Sequence, residues 1–136
     1  MREDLEEAVR LHRKAADMGL DWSFDIEELT EDLLVIRGRY DKPGRIGGII
    51  PGAIQMDMAD TFAWIHTVAR LPPGADAYTT DITVQFLRPL PVGQFVVRCQ
   101  MLRWTPRRTV SSLLFSADGE KTETSATVSY APRPVT

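Results

Sequence analysis

Two aspartates, Asp57 and Asp60, stand in a largely apolar stretch that runs from Ala53 to Ala69. A carboxylate is costly to bury without partners, so acids in such a setting are either satisfied by neighbours or used in chemistry. On a helix turning 100° per residue they lie about 60° apart with Trp64 between them, and so share one face. Pro51-Gly52 precedes the stretch. A proline near the first turn followed by a glycine leaves backbone N–H groups open to receive a developing oxyanion. A carboxylate and an oxyanion site are the two parts that ester or thioester hydrolysis requires. The stretch also holds the polar residues Gln55, Thr61 and His66. His66 has no acid or nucleophile at useful spacing and reads as an interior or interface histidine.

The arginines form a second signal. Between Ile82 and Ala117 there is no acid, while Arg88, Arg98, Arg103, Arg107 and Arg108 are present. The guanidinium fork matches phosphate geometry. Nucleic acid is a poor fit for this charge, because the isoelectric point is near 5.4, no helix is basic and no aromatics interleave with the arginines. Gly44-Arg45-Ile46-Gly47-Gly48 lacks the Gly-Lys-Ser/Thr ending of a P-loop and reads as a pocket-lining loop.

The chain that must position these groups has 136 residues, 43% of them hydrophobic and 26% charged, which fits one domain and leaves no room for a second catalytic one. Its net charge of -3 has two unlike parts. Residues 1–32 carry eleven acids against four bases, and residues 33–136 carry eight acids against twelve bases. Cys99 is the one cysteine and His12 and His66 the two histidines, so a disulfide within the chain or a metal centre is not expected, nor is a cofactor. No apolar run reaches the roughly 18 residues of a membrane span, and the start MREDLEEAVR lacks a signal-peptide core, so a cytoplasmic protein without membrane contact is expected.

Along the chain, Leu5, Ala8, Val9, Leu11, Ala15 and Ala16 recur at helical spacing among charges, predicting an amphipathic surface helix over residues 3–18. His12 lies on this acidic helix and reads as passive. Trp22, Phe24 and Ile26 alternate with polar residues, and Leu33 to Tyr40 is rich in branched side chains, predicting two strands joined near Thr30 to Asp32. The apolar positions of 53–69 surround the helical wheel, predicting a buried central helix. Three or four strands follow, at about 77–87, 94–104, 108–117 and 120–130, the last two spaced as a tight hairpin. Tyr78, Thr80, Ile82, Val84 and Phe86 are expected on one face, as are Phe95, Val97, Cys99 and Met101, and Ala126, Val128 and Tyr130. The fold class is α+β: an antiparallel β-sheet wrapped around a buried central helix, with an additional N-terminal amphipathic helix at 1–20 and the core at 21–136.

Three runs carry a family resemblance: Pro51-Gly52-Ala53-Ile54-Gln55-Met56-Asp57-Met58-Ala59-Asp60-Thr61, then Thr79 to Pro89, ending in Leu87-Arg88-Pro89, and Glu123 to Tyr130. Together, over residues 33–132, the sequence resembles the hotdog-fold acyl-CoA thioesterases, and most nearly their phenylacetate-pathway branch. That resemblance implies a hotdog fold, hydrolysis of a small or medium acyl-CoA, and a homo-oligomer, dimer or tetramer, whose sheets join edge to edge with the active sites at the interface. It places the catalytic acid at Asp60, as general base or nucleophile, and the amide that polarises the thioester carbonyl at Gly52. The motif's histidine is Pro51 here, and the Asn or Gln that helps hold the substrate aligns with Arg45. Thr61 and Trp64 are further candidate substrate contacts, and Arg88, Arg103, Arg107 and Arg108 are candidates for the phosphates of coenzyme A. Eight residues of helix separate Gly52 and Asp60 by about 12 Å, so one carbonyl must receive them from different subunits. Two other readings remain. One is a hotdog protein that binds an acyl ligand without catalysis; the other is a hydratase-like enzyme using Asp57, whose branch needs a histidine that residues 41–50 lack.

Overall fold

The computed structural model describes residues 20–42, 47–72 and 74–133. The expected N-terminal helix, Arg45 and most of the glycine-rich loop lie outside them. The elements run β1 Ser23–Leu29, β2 Leu33–Tyr40, α1 Gly52–Val68, β3 Asp76–Phe86, β4 Gly93–Trp104, β5 Thr109–Ser116 and β6 Thr124–Arg133. The strands form one antiparallel sheet in the order β1-β2-β4-β5-β6-β3. The helix packs on one face of this sheet and meets every strand from β2 to β6.

Short polar turns set the hairpins. Thr30 donates its backbone N–H to the Leu33 carbonyl at 2.8 Å, while its hydroxyl oxygen accepts the Leu33 N–H at 3.0 Å, closing β1 onto β2. The same device recurs between β4 and β5, where Thr105 and Arg108 bond backbone to backbone at 3.0 Å and the Thr105 hydroxyl both donates and accepts. The β5–β6 connection is longer than expected. Asp118 accepts the backbone N–H of Glu120 and of Lys121, folding those residues into the turn, so β6 begins at Thr124 rather than at residue 120.

The core is aromatic at its centre. Phe62 of α1 meets Phe24 edge-on with centroids 5.2 Å apart, and also contacts Trp22 and Phe95. Gly38 lets Phe95 in, because a β-carbon at that glycine would lie 2.2 Å from the ring's Cζ. Phe95, Val97, Cys99 and Met101 are buried along β4, and Ala126, Val128 and Tyr130 along β6. Burial of α1 is less complete than the wheel suggests. Met58, Ala59, Phe62, Ala63 and Ile65 are wholly covered, but Ala53, Met56 and Asp57 are exposed and Asp60 and Trp64 half-buried, leaving an open stripe that carries both acids.

Strand β3 corrects the expected face. Thr79 pairs with Tyr130 and Asp81 with Ser129, so Thr80 is an extra residue, a β-bulge. Side chains alternate by two residues only while pairing is regular, and the extra residue shifts that parity. Ile82, Val84 and Phe86 oppose the helix-facing Val128, Ala126 and Thr124, but upstream of the bulge Thr79 takes the helix side. Tyr78 is 54% exposed and Thr80 is also exposed.

Candidate active site

Asp60 is held from the sheet. Its Oδ1 accepts the Thr79 hydroxyl at 2.7 Å and the Tyr130 hydroxyl, which also lies against the Asp60 main-chain oxygen. Tyr130 is 2% exposed, and burial, reinforced by the adjacent carboxylate, pushes its phenol far above the ordinary tyrosine range. The phenol therefore stays protonated and donates. Oδ2 of Asp60 has no partner among the described residues. Asp57, one turn earlier and exposed, has its carboxyl pushed upward, first by partial burial and then by the Asp60 charge.

Pro51 is the N-cap of α1 with φ -57° and ψ 144°, and it has no side-chain cap. Its carbonyl accepts the N–H groups of Ile54 and Gln55, so those of Gly52 and Ala53 are the donors of the first turn without a partner among the described residues. The Phe86 ring covers Gly52 from the sheet side. Gln55 fixes this end of the helix from within. Its amide donates to the Ile50 carbonyl at 2.9 Å, and its Oε1 accepts the Thr124 hydroxyl. Sequence reasoning gave Gln55 no role, and its position among apolar neighbours was the one available signal.

Trp64 donates its indole N–H to Asp76 at 2.9 Å at the start of β3, while Thr61 is half-buried on α1. His66 is fully buried. Its Nε2 lies 3.0 Å from the Thr30 carbonyl and its Nδ1 3.6 Å from the Cys99 sulfur. Burial lowers the imidazole pKa and raises that of the Cys99 thiol to about 12, so a neutral ring donates through Nε2 and can accept the thiol proton at Nδ1. This is a satisfied interior histidine.

The arginines do not gather in one place. Arg103, Arg107 and Arg108 line a cleft of about 520 Å³ at the β4–β5 turn, together with Thr105 and Pro106. This turn lies at the C-terminal end of α1, where the Arg70 guanidinium stands 4.2 Å above the Trp104 ring. None of the three pairs with a described acid. Arg88 lies at the opposite end of the helix, following Phe86, with its backbone N–H on the Glu123 carbonyl at 3.0 Å. Arg98 is exposed in mid-strand.

Solved structures share this architecture. A thioesterase from Haemophilus influenzae aligns with a TM-score of 0.76 at 17% identity over 88% of this chain and 83% of its own. A mutant thioesterase from Pseudomonas aeruginosa aligns at 0.80 and 15%, over 96% and 94%. A hypothetical thioesterase from Streptococcus pneumoniae, solved with coenzyme A, aligns at 0.73 and 11%, over 84% and 89%. No curated protein matches the sequence. Residues 47–124, more than half of the chain, match the family model of the thioesterase superfamily, and they contain α1, β3, β4, β5 and the start of β6. With its six-stranded antiparallel sheet packed against a single long helix among the described residues, the chain has the hotdog fold and belongs to the thioesterase superfamily.

Proposed function

We propose that this protein is a single-domain acyl-CoA thioesterase that hydrolyses small or medium acyl-CoA, working as a homo-oligomer with Asp60 as its base. The observation that carries this reading is the half-buried Asp60 carboxylate, anchored through one oxygen to Thr79 and Tyr130 on the open stripe of the helix. Membership of the thioesterase superfamily supports the reaction type, and the pneumococcal relative solved with coenzyme A supports the leaving group.

In this reading Asp60 takes a proton from a water whose oxygen bonds to the thioester carbon. The carbonyl oxygen becomes an oxyanion and receives the free N–H of Gly52 of the partner subunit. Collapse breaks the carbon–sulfur bond, and the proton held by Asp60 passes to the departing sulfur, leaving a carboxylic acid and free coenzyme A. The oligomer is supported by β3, a long edge strand with exposed Tyr78 and Phe86, next to exposed Leu87 and Met56. An open edge of that length, with two aromatic side chains exposed on it, is normally covered. Arg103, Arg107 and Arg108, which pair with no acid among the described residues, would receive coenzyme A phosphates. Asp57 supports Asp60, while Thr61 and Trp64 border the acyl group.

The test is free-thiol release from straight-chain, branched and aryl acyl-CoAs, with wild-type protein and with Asp60→Asn. Turnover that Asp60→Asn abolishes is expected. Full activity in that variant refutes the base, and wild-type protein that binds acyl-CoA without turnover leaves a binding protein, the reading favoured by Pro51 where the motif has histidine.

A further inference from the structure

The geometry points to Thr79 and Tyr130 as positioning residues that divide the Asp60 carboxylate into an anchored oxygen, Oδ1, and a reacting oxygen, Oδ2. This rests on the reading of Asp60 as base.

Both hydroxyls reach Oδ1, Thr79 at 2.7 Å and Tyr130 while also touching the Asp60 main-chain oxygen, and Oδ2 has no partner among the described residues. The two donors form one cross-strand pair, Thr79 opposite Tyr130, so a single rung of the sheet supplies both. That rung exists only because of the bulge. With regular pairing from Ile82 and Val128 upward, Thr80 would face the helix and Thr79 would turn away. Bulges beside reactive groups commonly re-aim one side chain in this way.

A free aspartate rotates about its side-chain bonds and offers either oxygen. Two donors on one oxygen remove that freedom in the ground state, which is the orientational ordering that raises catalytic rate without changing affinity. The donors differ in accessibility. Tyr130 is buried and permanently protonated, whereas Thr79 is exposed beside the sheet edge. Thr79 is therefore the residue whose loss can be read with little disturbance to the core.

The experiment compares Thr79→Val, Thr79→Ser and Tyr130→Phe with wild type and Asp60→Asn on the best acyl-CoA found. Thr79→Val keeps the branched shape and removes the donor. We expect kcat to fall about tenfold or more with KM nearly unchanged, with Thr79→Ser restoring most of the rate and Tyr130→Phe repeating the loss. Equal melting temperatures for wild type and Thr79→Val separate this from unfolding. If Asp60→Asn is dead while Thr79→Val and Tyr130→Phe turn over like wild type, the positioning role is wrong and the base reading survives. If Thr79→Ser is as slow as Thr79→Val, the hydroxyl is not the cause and the proposal also fails. If Asp60→Asn is active, or wild type turns over nothing, both ideas fall.

Discussion

The ring of Phe86 lies against Gly52, so that a β-carbon on the glycine would stand 3.0 Å from the ring's Cζ. The end of β3 thus touches the first residue of the helix, beside the N–H groups that have no partner among the described residues. Since Phe86 is 52% exposed, its ring can shift, and a methyl group at Gly52 is tolerable. Gly52→Ala is expected to lose under about 1 kcal/mol of stability and little activity, because the amide remains. Gly52→Pro adds similar bulk but deletes the N–H. Proline is accepted at the first helical position, and the ψ of 144° at Pro51 suits a following proline. Its kcat is expected to fall roughly 100-fold or more while the protein still folds. Equal kinetics in the two variants would remove Gly52 from the mechanism.

Co-expression of Gly52→Pro and Asp60→Asn chains tests the division of the site between subunits. Half of the dimers are then mixed, and each mixed dimer holds one intact pair, so about a quarter of wild-type activity should return. If both residues act within one chain, no mixed dimer is active, and the recovered rate stays at the level of the separate variants.

Gly38 tests the core. Its β-carbon would fall 2.2 Å from Cζ of the fully buried Phe95 and 2.9 Å from the Ser23 carbonyl. Neither neighbour can move freely, so Gly38→Ala should cost about 1–3 kcal/mol and lower the melting temperature by several degrees. An unchanged denaturant midpoint would contradict this packing.

His66 makes stability depend on pH. Burial lowers its folded pKa below the ordinary imidazole value, against an opposing contribution from the Thr30 carbonyl. Below roughly pH 6.5 the unfolded chain therefore takes up a proton that the folded one refuses, so stability falls as pH drops through that value, by at most about 1.4 kcal/mol per pH unit. Above it the effect vanishes. Urea midpoints should decline between about pH 7.5 and about pH 5.5, and the decline should flatten in His66→Gln. An identical slope in the variant would assign the dependence elsewhere.

The β4–β5 arginines should act on the nucleotide end of the substrate. Replacing Arg103, Arg107 and Arg108 together with alanine is expected to raise KM for acyl-CoA about tenfold or more, with weaker salt dependence. The same acyl group on N-acetylcysteamine lacks phosphates and should be hydrolysed at the wild-type rate. An equal loss on both thioesters would mean that the turn matters for structure alone.

Much of the fold is legible in the sequence. Alternation in β1, β4 and β6, and the apolar run of α1, follow from local periodicity, which each segment carries by itself. The relation of Asp57 to Asp60 needs no tertiary information, because helical geometry alone puts three-residue neighbours on one face. Three features were decided by tertiary contacts. Tyr130 lies seventy residues from Asp60, so its hydroxyl reaches the acid only through sheet pairing. The choice of Thr79 over Thr80 depends on a bulge that the strand-compatible run Tyr78-Thr79-Thr80-Asp81 does not announce, since parity is set by the partner strand. The arginines form one acid-free stretch in the chain, yet Arg88 and the β4–β5 group stand at opposite ends of α1, because β4 carries the chain back across the sheet between them.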